Sequence, residues 1–209
     1  MVSPSPSVSV IVPASPRAPA LDAHAYPCEI VVADQGLAPA VLQARGDVIG
    51  IVAADGKTPL EQIAKILPWF DDEYDVVFGS RALATSTVDV PRKWYRRIGW
   101  WGFKLAMHAV VGLWRVSDPQ GGFVFCRAAV ARDLVQRLRI NGSLWEVDLL
   151  YLAQRSGYAM REVGVRSHGD GAMASPLDFC RDLADLFRIR FGTYAPPTVW
   201  PTAPLRQVA

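Results

Sequence analysis

Residues 47–59 read Asp-Val-Ile-Gly-Ile-Val-Ala-Ala-Asp-Gly-Lys-Thr-Pro, and this stretch decides the fold class of the chain. Val48 to Val52 form a short, β-branched run without charge, which is typical of a strand buried on both faces of a parallel sheet. Thr58, Pro59 and Glu61 then follow in the spacing of a capping hydroxyl, a first-turn proline and a first-turn acid. The stretch therefore predicts the strand, loop and helix of an α/β sheet.

A single acid, Asp55, lies in the loop between this predicted strand and helix. Open α/β sheets bind ligands in the crevice outside the carboxyl ends of their strands. Helix amides in that crevice can hold phosphate oxygens, and an acid there can hold Mg²⁺ or Mn²⁺ that bridges a diphosphate. The simpler interpretation is a polar loop whose acid has no function. On this stretch alone both interpretations stay open.

Strands and helices alternate along most of the chain, which predicts a single α/β domain with a mostly parallel sheet flanked by helices. We expect residues 1–7 to be loose, residues 8–191 to form the domain and the Pro-rich residues 192–209 to be a disordered tail. The predicted strands are 8–12, 29–33, 48–52, 74–78, 122–126 and 161–166, and the predicted helices are 37–44, 59–67, 92–114, 127–139, 146–155 and 176–190.

Composition and cysteine usage argue against several classes of protein. A net charge of +2 is too small to indicate nucleic-acid binding. Cys28, Cys126 and Cys180 lie far apart without a Cys-x-x-Cys pair, which indicates buried thiols in a reducing compartment. The N-terminus lacks the basic-then-apolar pattern of a signal peptide, and no apolar run is long enough to predict a transmembrane helix. We therefore expect a cytoplasmic protein.

Residues 92–115 combine basic residues with an apolar sequence that includes four tryptophans. On a helix, five of the basic side chains fall within a sector of about 60°. Such a helix is typical of one that lies in a membrane interface. The alternative is a helix packed in the core whose basic stripe faces water, and the sequence favours neither. The five residues are Lys93, Arg97, Lys104, His108 and Arg115.

Two further groups of polar residues are ambiguous when taken singly. Residues 117–123 have the composition of an ordinary turn, although Asp118 and Gln120 would lie over a pocket if the loop lined one. Glu146 and Asp148 begin a predicted helix, where acids complement the helix dipole. The alternative is that one of these two acids reaches a substrate or the arginines.

The order of the motifs along the chain is more specific than any one of them. In that order they resemble the family-2 inverting glycosyltransferases of GT-A fold, and most closely the branch of dolichyl- or polyprenyl-phosphate hexose synthases. The resemblance covers about residues 8–191. The motifs are Ser-Val-Ile-Val-Pro-Ala (9–14), Glu-Ile-Val-Val-Ala-Asp (29–34), Ala-Arg-Gly-Asp (44–47), Ala-Asp-Gly-Lys-Thr-Pro (54–59), Gly-Ser-Arg (79–81), Asp-Pro-Gln-Gly-Gly-Phe (118–123), Trp-Glu-Val-Asp-Leu-Leu-Tyr-Leu-Ala (145–153), Arg-Glu-Val-Gly-Val (161–165) and Asp-Leu-Phe-Arg-Ile-Arg (185–190).

The resemblance implies a GT-A-like (Rossmann-like) domain with amphipathic interfacial helices. The activity it implies is transfer of a hexose from UDP-glucose or GDP-mannose to polyprenyl phosphate, at the cytoplasmic face of a membrane. It places Asp118 and Gln120 at the reaction centre and Mg²⁺ or Mn²⁺ at Asp55. It also implies a peripheral protein that self-associates or binds a membrane-anchoring partner. The residues implied at the nucleotide sugar are Pro13, Ala14, Asp34, Asp55, Lys57 and Arg81, and those implied at the acceptor phosphate are Arg92, Arg96 and Arg97.

The chain departs from the family pattern mainly on the donor side. Ala53 stands where the family has the first acid of its Asp-x-Asp metal motif, and Ala33 replaces an acid of the nucleotide site. Lys57 offers positive charge beside the diphosphate, where it would partly replace a metal. The alternative function is therefore a catalytically weakened member that binds a lipid phosphate or a protein partner.

Overall fold

Eight strands and seven helices make up the described part of the chain. The computed structural model describes residues 6–14, 26–53, 55–89, 94–168 and 176–201, with the backbone alone described in 94–101 and 176–179. The strands are β1 (Val8–Pro13), β2 (Glu29–Ala33), β3 (Val48–Val52), β4 (Val76–Ser80), β5 (Thr87–Val88), β6 (Phe123–Arg127), β7 (Met160–Gly164) and β8 (Arg166–Ser167). The helices are α1 (Leu37–Gln43), α2 (Ile63–Ile66), α3 (Pro68–Asp71), α4 (Trp94–Val111), α5 (Ala128–Arg137), α6 (Trp145–Ser156) and α7 (Pro176–Phe191).

Six of the strands form one sheet in the order β2-β1-β3-β6-β4-β7. β6 runs antiparallel to β3 and β4, and the other neighbouring pairs are parallel. The prediction of a mostly parallel sheet is confirmed. β5 and β8 pair with each other in a separate small sheet.

β3 is buried along its whole length, as its charge-free sequence predicts. Ile49 and Ile51 belong to an apolar cluster with residues of α1, α5 and α6, whereas Val48 and Val52 belong to a second cluster with residues of α2 and α3. Because alternate side chains of a strand point to opposite faces, helices cover the sheet on both sides. Gly50 faces the ring of Phe125, where a Cβ would overlap the aromatic carbons.

One edge of the sheet brings three loops together. Val52 at the end of β3 pairs with Phe123 at the start of β6, and Phe78 near the end of β4 pairs with Val124. The loops that follow β3 and β4 therefore meet the loop that precedes β6. This edge is the crevice in which open α/β sheets bind ligands.

The boundaries of several predicted elements differ from the structure, and the strand predicted at 161–166 is two strands, β7 and β8, in different sheets. The helix predicted at 59–67 is divided into a 3₁₀ turn (Leu60–Gln62) and the short helices α2 and α3. Pro68, which begins α3, has no backbone N–H and so cannot continue the helical hydrogen bonding of α2. The strand predicted at 74–78 lies at Val76–Ser80, because Gly79 and Ser80 pair with β7.

The basic side chains predicted to form one stripe on α4 do not all face water. His108 is 8% exposed and stacks on Trp114 with ring centroids 5.5 Å apart, while Lys104 is half-buried. Leu105 is 63% exposed instead. The reason is helical spacing, since Lys104, His108 and the buried Val111 share the face that packs inward. Lys93 lies outside the described residues, and the side chain of Arg97 is not described.

Residues 192–201 differ from the disordered tail expected from the sequence. They form no helix or strand, but hydrogen bonds hold them to the domain. The Tyr194 hydroxyl donates to Asp148 at 2.6 Å, and the N–H and hydroxyl of Thr198 each donate to Asp133 at 2.7 Å. The partner acids lie 46 and 65 residues away along the chain, so a local sequence pattern misses them. Residues 202–209 lie outside the described part.

No helix among the described residues is both long enough and apolar enough to cross a membrane.

Candidate active site

A buried arginine–aspartate pair occupies the sheet edge where the three loops meet. Arg81 follows β4, and its guanidinium donates through Nε to Asp118 Oδ2 at 2.7 Å and through Nη2 to Oδ1 at 3.0 Å. The Arg81 backbone N–H donates to the same carboxylate at 3.0 Å. The side chains of Arg81 and Asp118 are 13% and 3% exposed. Because two parallel bonds fix the mutual orientation of the groups, these two predicted site residues act as one unit.

The backbone carbonyl of Gln120 is hydrogen-bonded to the same arginine. Nη2 of Arg81 also donates to the Gln120 carbonyl at 2.6 Å. Burial lowers the pKa of Arg81, but the hydrogen bond and the negative charge of Asp118 outweigh this effect, so the pKa is raised on balance. Arg81 is therefore a fixed positive charge that holds the loop of residues 118–120 in place. The half-buried side chain of Gln120 lies on that loop.

Glu162 of β7 positions the same loop from the other side. Its carboxylate accepts the backbone N–H of Ser117 at 2.9 Å and that of Asp118 at 2.9 Å. Charge-assisted bonds to backbone amides are stronger than neutral ones. Glu162 thus sets the path of the chain directly before the arginine–aspartate pair.

Glu146, in the first turn of α6, is the most unusual acid of the site. It is fully buried, its Oε2 accepts the Gly122 N–H at 2.8 Å, and its Oε1 has no hydrogen-bond partner. Burial raises the pKa of Glu146 to about 8, and the negative charge of Asp118 adds to the rise, whereas the Gly122 N–H and Arg81 oppose it. The carboxyl is therefore mostly protonated at neutral pH. A protonated carboxyl donates a hydrogen bond as well as accepting one.

Two glycines allow the loops of the site to approach each other closely. A Cβ at Gly121 would overlap the carbonyl oxygen of Gly79 in β4. Gly122 has a φ of +69°, and a Cβ there would lie 2.7 Å from the Cβ of Ala53. The Ala53 N–H donates to the Gly122 carbonyl at 2.8 Å. Ala53, which replaces an acid of the family pattern, therefore packs against the loop before β6.

The loop after β3 carries a local ion pair. Lys57 Nζ lies 2.8 Å from Asp55 Oδ2, and the Lys57 N–H donates to Asp55 Oδ1 at 3.2 Å. The carbonyl of Lys57 accepts the N–H of His168 at 2.8 Å. Asp55 lies near enough to Arg81 to contribute to the raised pKa of its guanidinium. Asp55 and Lys57 thus lie at the same sheet edge as the buried pair.

The described residues do not form a metal site around Asp55. No three His, Cys, Asp or Glu side chains in the described ranges lie close enough to hold a metal ion together. Ala53 offers no ligand, and Lys57 compensates the charge of Asp55. Mg²⁺ is usually bound through one or two carboxylates together with substrate phosphates. The described residues therefore do not fit a divalent cation held by the protein alone, and a metal shared between Asp55 and the phosphates of a bound substrate stays a prediction.

The other predicted binding residues lie in two places. Pro13 ends β1, and Ala14 and Asp34 directly follow β1 and β2, on the same edge as the end of β3 because these strands are parallel. Asp34 is exposed and accepts the Gln35 N–H at 2.8 Å. Arg92 is outside the described residues. Arg96 and Arg97 lie on α4, where the backbone alone is described.

The sequence left Glu146 as one of two candidate site acids and assigned no role to Glu162. Of the two ambiguous acids, Glu146 lies by the arginine–aspartate pair. Asp148 instead accepts the N–H groups of Arg139 and Ile140 at 2.7 and 3.0 Å. Glu162 reaches its partners across 44 and 45 residues of sequence, so nothing in its neighbourhood in the sequence indicated the role.

Two curated relatives match the chain. A dolichyl-phosphate β-glucosyltransferase of Drosophila melanogaster is 34% identical over 159 residues, which are 68% of this chain and 47% of the relative. A protein of the same name in Dictyostelium discoideum is 28% identical over 158 residues, which are 72% of this chain and 48% of the relative. The chain thus spans about half the length of the curated relatives it matches. No family model matches the chain.

Solved structures share the fold. Glucosyl-3-phosphoglycerate synthase of Mycobacterium tuberculosis, in complex with Mn²⁺, UDP-glucose and glycerol 3-phosphate, superposes with a TM-score of 0.56 at 13% identity. The match covers 95% of this chain and 88% of that one. The sequence relatives and the fold agree with the order of motifs along the chain. The chain belongs to the family-2 glycosyltransferases of GT-A fold, and the relatives that it matches over about half their length are dolichyl-phosphate β-glucosyltransferases.

Proposed function

We propose that the protein transfers a hexose, glucose in the first instance, from a nucleotide diphosphate sugar to polyprenyl phosphate at a membrane surface. The observation that carries the proposal is the buried pair of Arg81 and Asp118, held with Gln120 at the carboxyl edge of the sheet. The names of the two relatives support glucose as the sugar and dolichyl phosphate as the acceptor. The UDP-glucose complex of the structural neighbour supports the donor class.

The proposed reaction is a single displacement with inversion at the anomeric carbon. An oxygen of the acceptor phosphate forms a bond to C1 of the hexose, and the bond from C1 to the diphosphate oxygen breaks. The nucleoside diphosphate leaves with the bonding electrons. A phosphate monoester has its second pKa near 6, so the attacking oxygen needs no proton removed at neutral pH. Orientation and charge neutralisation should therefore account for most of the rate.

The reaction as proposed needs no base, and Glu146 has a different role in it. At neutral pH its buried carboxyl is mostly protonated and has one oxygen without a partner. We propose that it donates a hydrogen bond to a phosphate oxygen at the reaction centre. Asp118, which is tied to Arg81, orients the reacting groups and does not exchange protons.

The donor diphosphate is proposed to lie along the carboxyl edge of β1, β3 and β4. Lys57 and Arg81 would supply positive charge to it, and Asp55 would hold Lys57 in position. Pro13, Ala14 and Asp34 would contact the nucleotide. The resemblance assigns the acceptor phosphate to Arg92, Arg96 and Arg97. No step of this scheme depends on a divalent cation, although the structural neighbour was solved with Mn²⁺.

Calorimetric titration of UDP-glucose tests the donor side. We expect binding that persists in excess EDTA, because Lys57 replaces part of the charge of a metal. Lys57→Ala should weaken binding roughly tenfold, as loss of a charged hydrogen bond does. Lys65→Ala, which removes an exposed lysine of α2, should leave binding unchanged. Binding that requires Mn²⁺ would refute the role of Lys57, and failure to bind any nucleotide sugar would refute the transferase proposal.

A second candidate function is binding of a phosphorylated lipid without transfer. The observation that favours it is the replacement of a metal-motif acid by Ala53, together with the lack of a three-ligand metal cluster in the described residues. This candidate predicts that the protein binds polyprenyl phosphate and fails to bind UDP-glucose or GDP-mannose. The same titrations, repeated with the lipid in detergent micelles, distinguish the two functions.

A further inference from the structure

The loop between α4 and β6 carries Asp118, so the contacts that hold this loop decide where the proposed reaction centre lies. Two groups fix its later part. Arg81 binds the Asp118 carboxylate, and Glu162 accepts the N–H groups of Ser117 and Asp118. The earlier part, residues 112–116, follows directly on the last turn of α4 and is held from there.

His108, in the last turn of α4, contacts this earlier part of the loop. Its carbonyl accepts the Gly112 N–H at 2.9 Å, and Gly112 follows the helix with a φ of +84°. The imidazole ring of His108 stacks on Trp114, with ring centroids 5.5 Å apart and an interplanar angle of 18°. One residue of the helix therefore contacts the loop through both its backbone and its side chain.

The two stacked rings differ in how firmly the rest of the protein holds them. His108 is 8% exposed, whereas Trp114 is 65% exposed. Stacked aromatic rings attract each other beyond the effect of burial alone. The buried ring of His108 therefore restrains a ring that is otherwise largely exposed. Trp114 lies four residues before Asp118, so this restraint acts on the chain that leads to the site.

The rest of α4 gives His108 a fixed base. Met107 and Val111 of the same helix are buried and belong to the larger apolar cluster of the core. The end of the helix is thus packed on the domain by residues other than His108. Loss of the imidazole ring should release Trp114 and the loop without detaching the helix.

The His108 ring packs as a neutral aromatic group. Its Nδ1 is buried and has no hydrogen-bond partner among the described residues. Burial lowers the pKa of His108, and the positive charge of Lys104 on the same helix lowers it further. A hydrogen bond with the Leu113 backbone and the negative charge of Glu162 of β7 oppose this fall without cancelling it. The ring is therefore uncharged at neutral pH, and a phenylalanine ring is a close apolar equivalent.

We propose that His108 is a positioning residue for the transfer reaction: its ring, stacked on Trp114, holds the start of the loop that carries Asp118. His108 touches neither substrate nor the reacting atoms, and it acts only through Trp114 and the loop. The proposal rests on the proposed function for the reaction that is positioned, but the contact between the two rings does not depend on it. The sequence placed His108 in a basic stripe, and its burial gives it this different role.

Steady-state kinetics of glucosyl transfer to polyprenyl phosphate, in detergent at neutral pH, test the proposal. His108→Ala should lower kcat at least about tenfold, since small displacements of reacting groups cost that much or more. The KM for UDP-glucose should stay within about twofold, because Lys57 on the donor side lies on another loop. His108→Phe keeps a ring that can stack on Trp114 and should recover most of the lost kcat. A fall in kcat that phenylalanine does not recover would overturn the proposal.

A double-mutant cycle shows whether His108 acts through Trp114. Trp114→Ala removes an exposed side chain, so the variant should fold, and it should lower kcat by about the same factor as His108→Ala. The variant with both changes should lose no more than either single variant, because both changes remove the same contact. Losses that multiply in the double variant would contradict the proposal. Trp200→Ala is the matched control, since Trp200 is also exposed, and it should keep the wild-type kcat.

Val41→Ala separates positioning from a general loss of stability. Val41 is fully buried in α1, which packs against β1 and β2 at the end of the sheet opposite β7. The cavity should lower the free energy of unfolding, whereas kcat per folded molecule should stay that of the wild type. A loss of kcat in Val41→Ala equal to that in His108→Ala would show that stability alone sets the rate, against the proposal.

Hydrogen exchange followed by mass spectrometry measures the loop without any transfer. In His108→Ala and in Trp114→Ala, the amides of residues 113–118 should exchange at least about fivefold faster than in the wild type and in Trp200→Ala. Unchanged exchange refutes the positioning role even in a protein that transfers. Faster exchange in the two variants of a protein that makes no glycolipid refutes only the proposed function.

Discussion

Each acid at the sheet edge lies in a different environment, and the environment decides what that acid can do. Asp118 is bound to Arg81 through two side-chain hydrogen bonds, which suits it to the orienting role proposed above. Glu162 accepts two backbone N–H groups and holds the loop before Asp118. Glu146 is buried with one oxygen unpaired, so it carries a proton at neutral pH. Three carboxyl groups therefore serve three purposes.

The buried ion pair should matter to stability as well as to transfer. Asp118→Asn leaves the buried Arg81 without a counter-charge, and breaking a buried pair in this way costs about 3–5 kcal/mol. Urea denaturation should show this loss in the free energy of unfolding. Arg166→Gln removes the exposed pair with Asp89 and should leave the free energy of unfolding unchanged. Equal effects of the two variants would contradict the burial argument.

Protonation of Glu146 should make stability depend on pH. The unfolded chain loses this proton near pH 4.5 and the folded protein near pH 8, so between these values the folded state binds more protons. Stability from this group is present below about pH 4.5 and is lost as pH rises toward 8, with a slope of up to about 1.4 kcal/mol per pH unit. Glu146→Gln should remove this slope when unfolding is measured from pH 5 to 8. Parallel curves for wild type and variant would show that Glu146 is ionised when folded.

At the scale of residues, the order of motifs predicted Asp118 and Gln120 at the reaction centre and Arg81 at the nucleotide sugar, and the structure shows Arg81 bonded to Asp118 and to the Gln120 carbonyl. Glu146 was left as one of two candidates, because a helix-start acid has the same sequence signal whether it faces the site or the helix dipole. Glu162 lies in the motif at 161–165 but was given no role, since its role depends on contacts more than forty residues away. Sequence patterns report local periodicity, and these contacts are made by the packing of separate strands.

At the scale of elements, the site depends on how closely the loop before β6 approaches β4 and the loop after β3. Gly121 lies against the Gly79 carbonyl, and Gly122 lies against Ala53. Periodicity predicted β1 and β3 well, because their burial is encoded in charge-free runs. It misplaced β4 by two residues and joined α2 to α3, because strand register and the break at Pro68 are decided by neighbouring elements.

Gly121→Ala should damage the site through this close approach. The added methyl meets the backbone of β4, which cannot rotate away, so the loop of residues 118–122 must shift. We expect a loss of about 1–3 kcal/mol in unfolding free energy, as for overpacked cores, and at least tenfold lower transferase activity. Gly102→Ala, in α4 with open space around it, should be neutral or stabilising by up to about 1 kcal/mol. Unchanged unfolding free energy and activity in Gly121→Ala would contradict the close approach of Gly121 to the Gly79 carbonyl.

At the scale of the whole molecule, an irregular C-terminal segment is hydrogen-bonded to the helices α5 and α6. Tyr194 and Thr198 donate hydrogen bonds to Asp148 of α6 and Asp133 of α5, which are both buried. Sequence composition predicted a disordered tail here, because proline content reports the lack of helix and strand but not side-chain contacts. The segment is irregular but held in place.

Removal of one such contact should lower global stability. Tyr194→Phe deletes the hydroxyl that donates to Asp148, and the loss of a hydrogen bond to a charged group costs about 1.5–3 kcal/mol. Trp200→Ala removes a side chain that is 85% exposed and should change little. Urea unfolding of both variants measures the difference. If Tyr194→Phe unfolds like the wild type, the segment does not contribute to the stability of the domain.

Glycolipid synthesis tests the central claim, which is hexose transfer at the Arg81–Asp118 edge. Purified protein is incubated with UDP-glucose or GDP-mannose and polyprenyl phosphate in detergent, with EDTA or with Mg²⁺ or Mn²⁺, and the lipids are analysed by mass spectrometry. We predict a hexosyl-phosphoryl-polyprenol from the wild type and from Arg166→Gln, and at least a hundredfold less from Asp118→Asn. Absence of product with every donor, or undiminished product from Asp118→Asn, would contradict the account.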